Sequence, residues 1–333
     1  MTRLIVAILA VAGLWMAWWA FGSIAHEKAL KAWIEDRRGE GWAAEVTALD
    51  VRGFPNRFDT TIEQVLLADP ETGIAWEAPF VQFLSLAYKP HQVIVVPAET
   101  HVFSTPFQAI TISHQNAKAS VFMEPSTSLA LESGRVVAEE LQLSSTLGWK
   151  IALAEGRFAV EQAEGRVATY RLGAELLEFL PTEATRRLLD PAGILPERLE
   201  QFRVDADLGF TDKWDRRAIE VARPQVTELD LRDLSARWGD VTFQAAGDLV
   251  VDAQGYPEGR IAIRAVEWRR ILDMAVASGL LLRDFVPALE SALGLMAGLS
   301  GSPDTLDADL VFENGSMSFG LIPLGPAPRW IIR

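Results

Sequence analysis

Residues 4–25 form a run of 22 without a single charged side chain. At 1.5 Å per residue a helix of that length covers roughly 33 Å, enough to cross a bilayer core of about 30 Å. Everything after it carries charge at ordinary density. The chain therefore reads as one membrane-spanning helix followed by a large water-soluble part. A cleaved signal peptide is the competing reading: Arg3 supplies a minimal positive start, and Ser23-Ile24-Ala25 offers small residues at the far end. The run is longer than an ordinary signal core, and Trp15, Trp18, Trp19 and Phe21 gather towards its end, where aromatic rings suit a headgroup boundary. A retained anchor is the reading taken.

The Lys/Arg rule argues against export, since Lys28, Lys31, Arg37 and Arg38 all follow the span and only Arg3 precedes it. A signal-like opening argues for it. The expectation adopted is a single-pass inner-membrane protein with the bulk of the chain in the periplasm.

The rest of the 333 residues is long enough for one large or two ordinary domains with real cores. Forty-five acidic against 31 basic side chains give a formal charge of −14, and basic residues form only pairs such as Arg186-Arg187 and Arg269-Arg270. A polyanion binder needs a concentrated basic surface, so nucleic acid is not expected as a partner. With no cysteine, disulfides, thiolate metal sites and cysteine nucleophiles are excluded together.

After the span, Leu30, Trp33 and Ile34 keep a helical stripe going until Gly39 and Gly41. Strand patterns follow at 48–52, 56–67, 80–88, 93–96, 109–113, 120–123, 128–131, 136–143 and 149–160, separated by prolines and by turn residues such as Asp69-Pro70-Glu71-Thr72-Gly73. Leu172, Leu176, Leu177, Phe179, Leu180, Leu188 and Leu189 read as helix, stopped at Asp190-Pro191-Ala192-Gly193. Strands resume between 202 and 266; in the last of them Ile261, Ile263 and Ala265 alternate with Arg260 and Arg264. Residues 268–299 form a very apolar helical block with a kink expected at Pro287. Leu306, Ala308, Leu310 and Phe312 then alternate with polar residues, and Asn314-Gly315 predicts a type I′ hairpin ahead of an extended Pro-rich tail.

The expected fold is α+β, mainly β: an N-terminal transmembrane helix, then a large, mainly antiparallel twisted sheet with two helical insertions. The expected divisions are an anchor at 1–25, an amphipathic linker helix at 26–42, a first β-rich unit at 43–170, a helical insertion at 171–200, a second β-rich unit at 201–267, an apolar helical block at 268–300, and a C-terminal hairpin with tail at 301–333.

No catalytic constellation stands out. A nucleophile elbow and a phosphate-binding loop are absent, and Gly39-Glu40-Gly41 follows a helix instead of a strand, which fits a helix stop. His26, His91, His101 and His114 lack a metal-ligand spacing. The pairs Asp205/Asp207 and Asp307/Asp309 fall on one face of a strand each, where an acid and a base would need burial to separate their pKa values. Their surroundings read as a solvated strand face. No catalytic residue, metal or cofactor is assigned.

Several stretches carry a resemblance. They are Ala32-Trp33 with Arg37-Arg38-Gly39-Glu40-Gly41-Trp42, the motif Gly53-Phe54-Pro55-Asn56-Arg57-Phe58-Asp59-Thr60, the turn Asp69-Pro70-Glu71-Thr72-Gly73-Ile74-Ala75-Trp76, and the ending Glu313-Asn314-Gly315 through Pro323-Leu324-Gly325-Pro326. Across essentially its whole length the chain resembles the uncharacterised alphaproteobacterial membrane-anchored proteins grouped as DUF2125. More distantly it is similar to AsmA-like envelope proteins, a likeness that implies lipid movement or outer-membrane assembly. From the residues alone, Gly53 and Pro55 shape a bend, Phe54 and Phe58 fill core, and Arg57 with Asp59 pair or cap, with Asn56 in the same candidate motif.

The expected function is a non-catalytic, membrane-anchored envelope protein that binds lipid or an envelope membrane protein in assembly or transport. Its candidate apolar contacts are Leu280, Leu281, Phe285, Leu289 and Leu293. A structural or protein-binding scaffold and an anchored hydrolase are the alternatives.

Overall fold

In a computed structural model, which describes residues 1–279, 286–299, 302–320 and 322–332, the chain is mainly β with a long apolar helix at its start. That helix, α1 (Thr2–Gly39), runs without a break through both the expected anchor and the expected linker. It ends as a Schellman motif: Gly41 takes φ +90°, its N–H donates to the Arg38 carbonyl at 3.0 Å, and the Trp42 N–H donates to the Arg37 carbonyl at 3.0 Å. Arg37 and Arg38 sit in the last turn, at the negative end of the helix dipole.

The chain divides into two compact units. Unit 1 holds residues 1–125 and 142–148. Its sheet is antiparallel throughout: β1 (Ala43–Glu45) and β2 (Ala48–Arg52) both pair with β3 (Arg57–Asp69), which pairs with β4 (Ile74–Leu86). On the far side of β4 lie β5 (Lys89–Pro97) and β6 (Thr100–Ser104), and both of these pair with β7 (Ala109–Met123). Ile62, Val65 and Val81 are the buried centre, with Leu49, Trp76, Phe83 and Val95 against them. The two strands expected at 109–113 and 120–123 are one, because neither Gln115 nor Lys118 interrupts a ladder as proline would.

Unit 2 holds residues 126–141 and 149–333, and β8 (Leu131–Ser145) contributes to each unit in turn. Here β9 (Lys150–Gln162), β10 (Thr169–Phe179), β11 (Leu199–Phe210), β12 (Val226–Trp238), β13 (Val241–Val251), β14 (Pro257–Val266), β15 (Thr305–Glu313), β16 (Ser316–Phe319) and β17 (Ile322–Pro326) form a meander in which each strand lies antiparallel to the next. Short helices α2 (Glu183–Leu189) and α3 (Arg216–Glu220) flank β11, and α4 (Trp268–Ala277) and α5 (Val286–Leu299) lie between β14 and β15. One face of the sheet buries Ala206, Leu231, Ala245, Leu249, Ile261 and Phe312. At the end of β14 and β15, Trp268, Leu272, Leu293 and Ala297 of the two helices pack on Ala265 and Leu306.

The helical insertion expected at 171–200 is corrected by this structure. Leu172 and Leu176 suit a helix at i, i+4, but they equally suit one face of a strand, and pairing on both sides with β9 and β11 decides for the strand. Only α2 remains helical, started by Thr182, whose Oγ1 accepts the Thr185 N–H at 3.1 Å. Pro287 is the second described residue of α5, and the kink expected there depends on residues 280–285, which lie outside the described ones. Asn314 (φ 52°) and Gly315 (φ 71°) form the expected turn, while Ile322–Pro326 of the expected tail makes a further strand. The rest of the tail is strapped down by Ala327 N–H to Gly315 O (2.9 Å), Trp330 N–H to Gly255 O (2.7 Å) and a pair of Gln225–Ile332 bonds.

Candidate functional site

Three regions of the described structure gather side chains beyond what folding alone asks for. The first is the Gly53–Asp59 bend. Gly53 takes φ +106°, and a Cβ there would lie 2.7 Å from the Arg57 Cβ and 2.9 Å from the Arg57 carbonyl, so only glycine closes the turn. Its carbonyl accepts both the Asn56 and Arg57 N–H groups, at 3.2 and 2.8 Å. The bend lies against α1. Trp15 Nε1 donates to the Pro55 carbonyl at 2.9 Å and Trp19 Nε1 to the Arg57 carbonyl at 2.8 Å. Phe58 is buried under the helix, with the His26 ring stacked at 6.2 Å, and Gly22 leaves the room it needs: a Cβ there would stand 2.5 Å from Phe58 Cζ. Phe54 meets Trp19 edge-on at 5.3 Å yet stays 54% exposed, so only Phe58 fills core as both rings were expected to do. Arg57 and Asp59 pair at 3.0 Å.

Trp15, Trp19, Gly22 and His26 recur at helical spacing, and that stripe was readable in the sequence. The clustering of tryptophans pointed to a headgroup boundary and hid the second use of two of them, as donors to a loop 38 to 40 residues away.

The second region is the polar face of the unit 2 sheet. A bulge between β11 and β12 throws Arg232 onto the face that carries Asp205 and Asp207, and its guanidinium reaches both, at 2.5 and 2.9 Å. Arg171 holds the other oxygen of Asp205 at 3.1 Å. The hydrogen bond from Arg232, supported by Arg171 against a smaller opposing effect of burial, keeps the Asp205 carboxyl below the usual carboxylate range. A general acid needs the reverse. Asp309 likewise meets Arg260 at 3.1 Å, and Asp307 lies 3.9 Å from Arg264. These carboxylates are bound to arginines across strands and form a charged, half-wet surface.

Of the four histidines, His101 and His114 come together with ring centroids 5.5 Å apart in unit 1. His114 is buried, and burial followed by repulsion from His101 lowers its pKa below the ordinary histidine value, so the neutral ring is the folded form. Among the described residues no group of three or more acids and histidines is placed to hold a metal ion.

The third region is a cleft of about 620 Å³ within unit 2. The end of α2 and the loop after it give it Leu189, Ile194 and Leu195; α4 and the first described residue of α5 give it Met274, Val276 and Val286. Arg270 and Asp273 are its charged lining on α4. The Asp190 carboxylate accepts the N–H groups of Ile194 and Leu195 at 3.1 and 2.8 Å, which fixes the loop in the shape that walls the cleft. Of the expected apolar contacts, Leu280, Leu281 and Phe285 lie outside the described residues. Leu293 is buried in the chain's own core, and Leu289 is partly buried against the same cluster.

With this geometry in view, residues 19–328 match a family described as an uncharacterized protein conserved in bacteria (DUF2125). The chain belongs to that family. The matched span takes in the Gly53–Asp59 bend, the stripe from Trp19 to His26 and every residue of the cleft, and it starts just after Trp15. No curated protein matches, and no solved structure matches.

Proposed function

We propose that this is a single-pass inner-membrane protein whose periplasmic part binds lipid or another amphipathic envelope component and carries or presents it without chemical change. The single observation behind this reading is the cleft beside α4. Its volume of about 620 Å³ falls inside the roughly 300–1,000 Å³ of small-molecule sites. Leu189, Ile194, Met274, Val276 and Val286 suit an acyl body, and Arg270, 3.5 Å from Glu267 and with Asp273 beside it, suits a head that carries both charges. The anchor supports the reading by tethering the chain to a source of lipid. The sheet's carboxylates support a non-catalytic role, since arginines engage them and Arg232 holds the Asp205 carboxyl below the usual range, the reverse of what a general acid needs.

The test is lipid extraction from the detergent-purified full chain, followed by mass spectrometry. Lipid is expected with the wild type, and substantially less with Ala277→Trp, which fills the cleft with an indole. Recovery no greater than from a detergent blank would end the lipid reading in favour of a scaffold. Alkaline phosphatase and fluorescent-protein fusions at the C-terminus report the compartment; activity of the second in place of the first would end the periplasmic assignment.

A further inference from the structure

Along the apolar half of α1, Gly13 aside, the side withdrawn from the surface begins at Trp15: Trp15, Trp19, Gly22 and His26 are half-buried and Ser23 is buried, on the side that meets the Gly53–Phe58 bend. Before Trp15 nearly every side chain is exposed. The stretch clear of the bend, residues 2–14, is therefore only roughly 20 Å long, well short of a bilayer core of about 30 Å. For α1 to span, the part from Trp15 onward must also lie in hydrocarbon, and it takes the bend with it.

The bend is built for that depth. Backbone at membrane depth must have its polar groups satisfied within the protein. Here the Gly53 carbonyl accepts two N–H groups, the Pro55 and Arg57 carbonyls accept the two indoles, and the Asn56 carbonyl accepts the Ala87 N–H at 2.9 Å. Pro55 brings no N–H at all. Phe54 and, in the adjoining β4–β5 turn, Tyr88 are both more than half exposed, the placement of aromatic rings that sit in lipid. Arg57, paired with Asp59, and Lys89 stand at the same end of unit 1, with stems long enough to reach headgroup phosphates.

We propose that the Gly53–Phe58 bend, with Tyr88 beside it, is inserted into the leaflet of the phospholipid bilayer from which unit 1 emerges, so that α1 and the bend form one membrane-embedded wedge. This rests on α1 being retained in the membrane, and the experiment separates the two. Because the chain has no cysteine, single cysteines can be introduced without a background. Phe54→Cys, Leu9→Cys and Phe107→Cys are each labelled with an environment-sensitive fluorophore in the full chain. The labelled chains are reconstituted into vesicles of phosphatidylethanolamine and phosphatidylglycerol with lipids spin-labelled on the acyl chain.

Leu9 reports the anchor. Phe107 follows Pro106, which packs on Gly73 at the opposite end of the β3–β4 hairpin, roughly 40 Å along the strands from Phe58, and it reports water. Quenching at 54 approaching that at 9 and severalfold above that at 107 is the expected result. Quenching at 54 no greater than at 107, with 9 strongly quenched, overturns the insertion and leaves the anchor standing. Absence of quenching at 9 overturns both. Phe54→Cys removes no core, and Tyr88→Cys gives a second position with the same expected readout should the first variant fail to fold.

Discussion

Two helical stretches of this protein, the first half of α1 and the described α5, are apolar on nearly every side, and they meet opposite fates. In α1 the apolar side chains from Leu4 to Leu14 are exposed, whereas in α5 Leu293 and Ala297 are buried against Trp268, Leu272 and Leu306. Composition does not separate them. Length is on the side of α1, whose 22 uncharged residues cover roughly 33 Å, whereas the described 14 residues of α5 cover roughly 21 Å. What α5 has instead is a facing surface, the end of β14 and β15 with α4 laid across it. An apolar helix is retained by a fold that supplies it a core.

The comparison breaks first at Trp268. Its ring is 2% exposed and its Nε1 donates to the Pro303 carbonyl at 3.0 Å, so Trp268→Ala should cost about 3–5 kcal/mol through the cavity left under α5. Urea unfolding checks this, and a midpoint shift worth less than about 1 kcal/mol would mean that α5 does not depend on the sheet. For α1 the matching change is Leu14→Arg, near the middle of the apolar run, expected to cost about 3 kcal/mol of insertion. The readout is the share of chain that resists alkaline carbonate extraction. An unchanged share would remove α1 from the bilayer. A smaller effect sharpens where lipid gives way to protein: Trp19→Phe keeps an aromatic ring but removes the indole donor to the Arg57 carbonyl, at about 0.5–1.5 kcal/mol. Lowered thermal stability, with faster chymotrypsin cleavage after Phe58, which α1 covers, is expected in detergent. If neither changes, the bend does not depend on α1, and the helix is free along more of its length than residues 2–14.

Reading the sequence alone succeeded where a pattern has one solution. An uncharged run of 22, Asn314-Gly315 between alternating strands, and Ile261, Ile263 and Ala265 against Arg260 and Arg264 each permit little else. It went wrong at 171–179, where Leu172 and Leu176 fit both periods and only the neighbours β9 and β11 choose. The candidate sites were less legible for a related reason. Trp15 and Trp19 are recognisable as a pair on one helix face, but nothing local says that their partners are carbonyls near residue 55. The cleft joins the loop after α2 to α4, segments some 80 residues apart, and the bulge that delivers Arg232 to Asp205 and Asp207 depends on a register set by pairing with β11 and β13. Nonlocal pairing is where each of these was decided.

The gentlest probe is the other side of α5. Leu295, between Leu293 and Ala297 in sequence but a different way round the helix, is 74% exposed. Leu295→Ser should therefore move stability by less than about 0.5 kcal/mol, whereas Leu293→Ala on the packed side should cost about 2–5 kcal/mol. Urea unfolding of the two variants side by side measures how sharply the helix divides. Equal losses would mean that Leu295 is covered in the folded protein, by another part of this chain or a second copy of it, and that α5 is a core helix on every side. A loss confined to Leu293 leaves α5 with one face committed to the sheet and one apolar face turned outward, which a water-soluble domain keeps at a cost and a domain held against lipid does not.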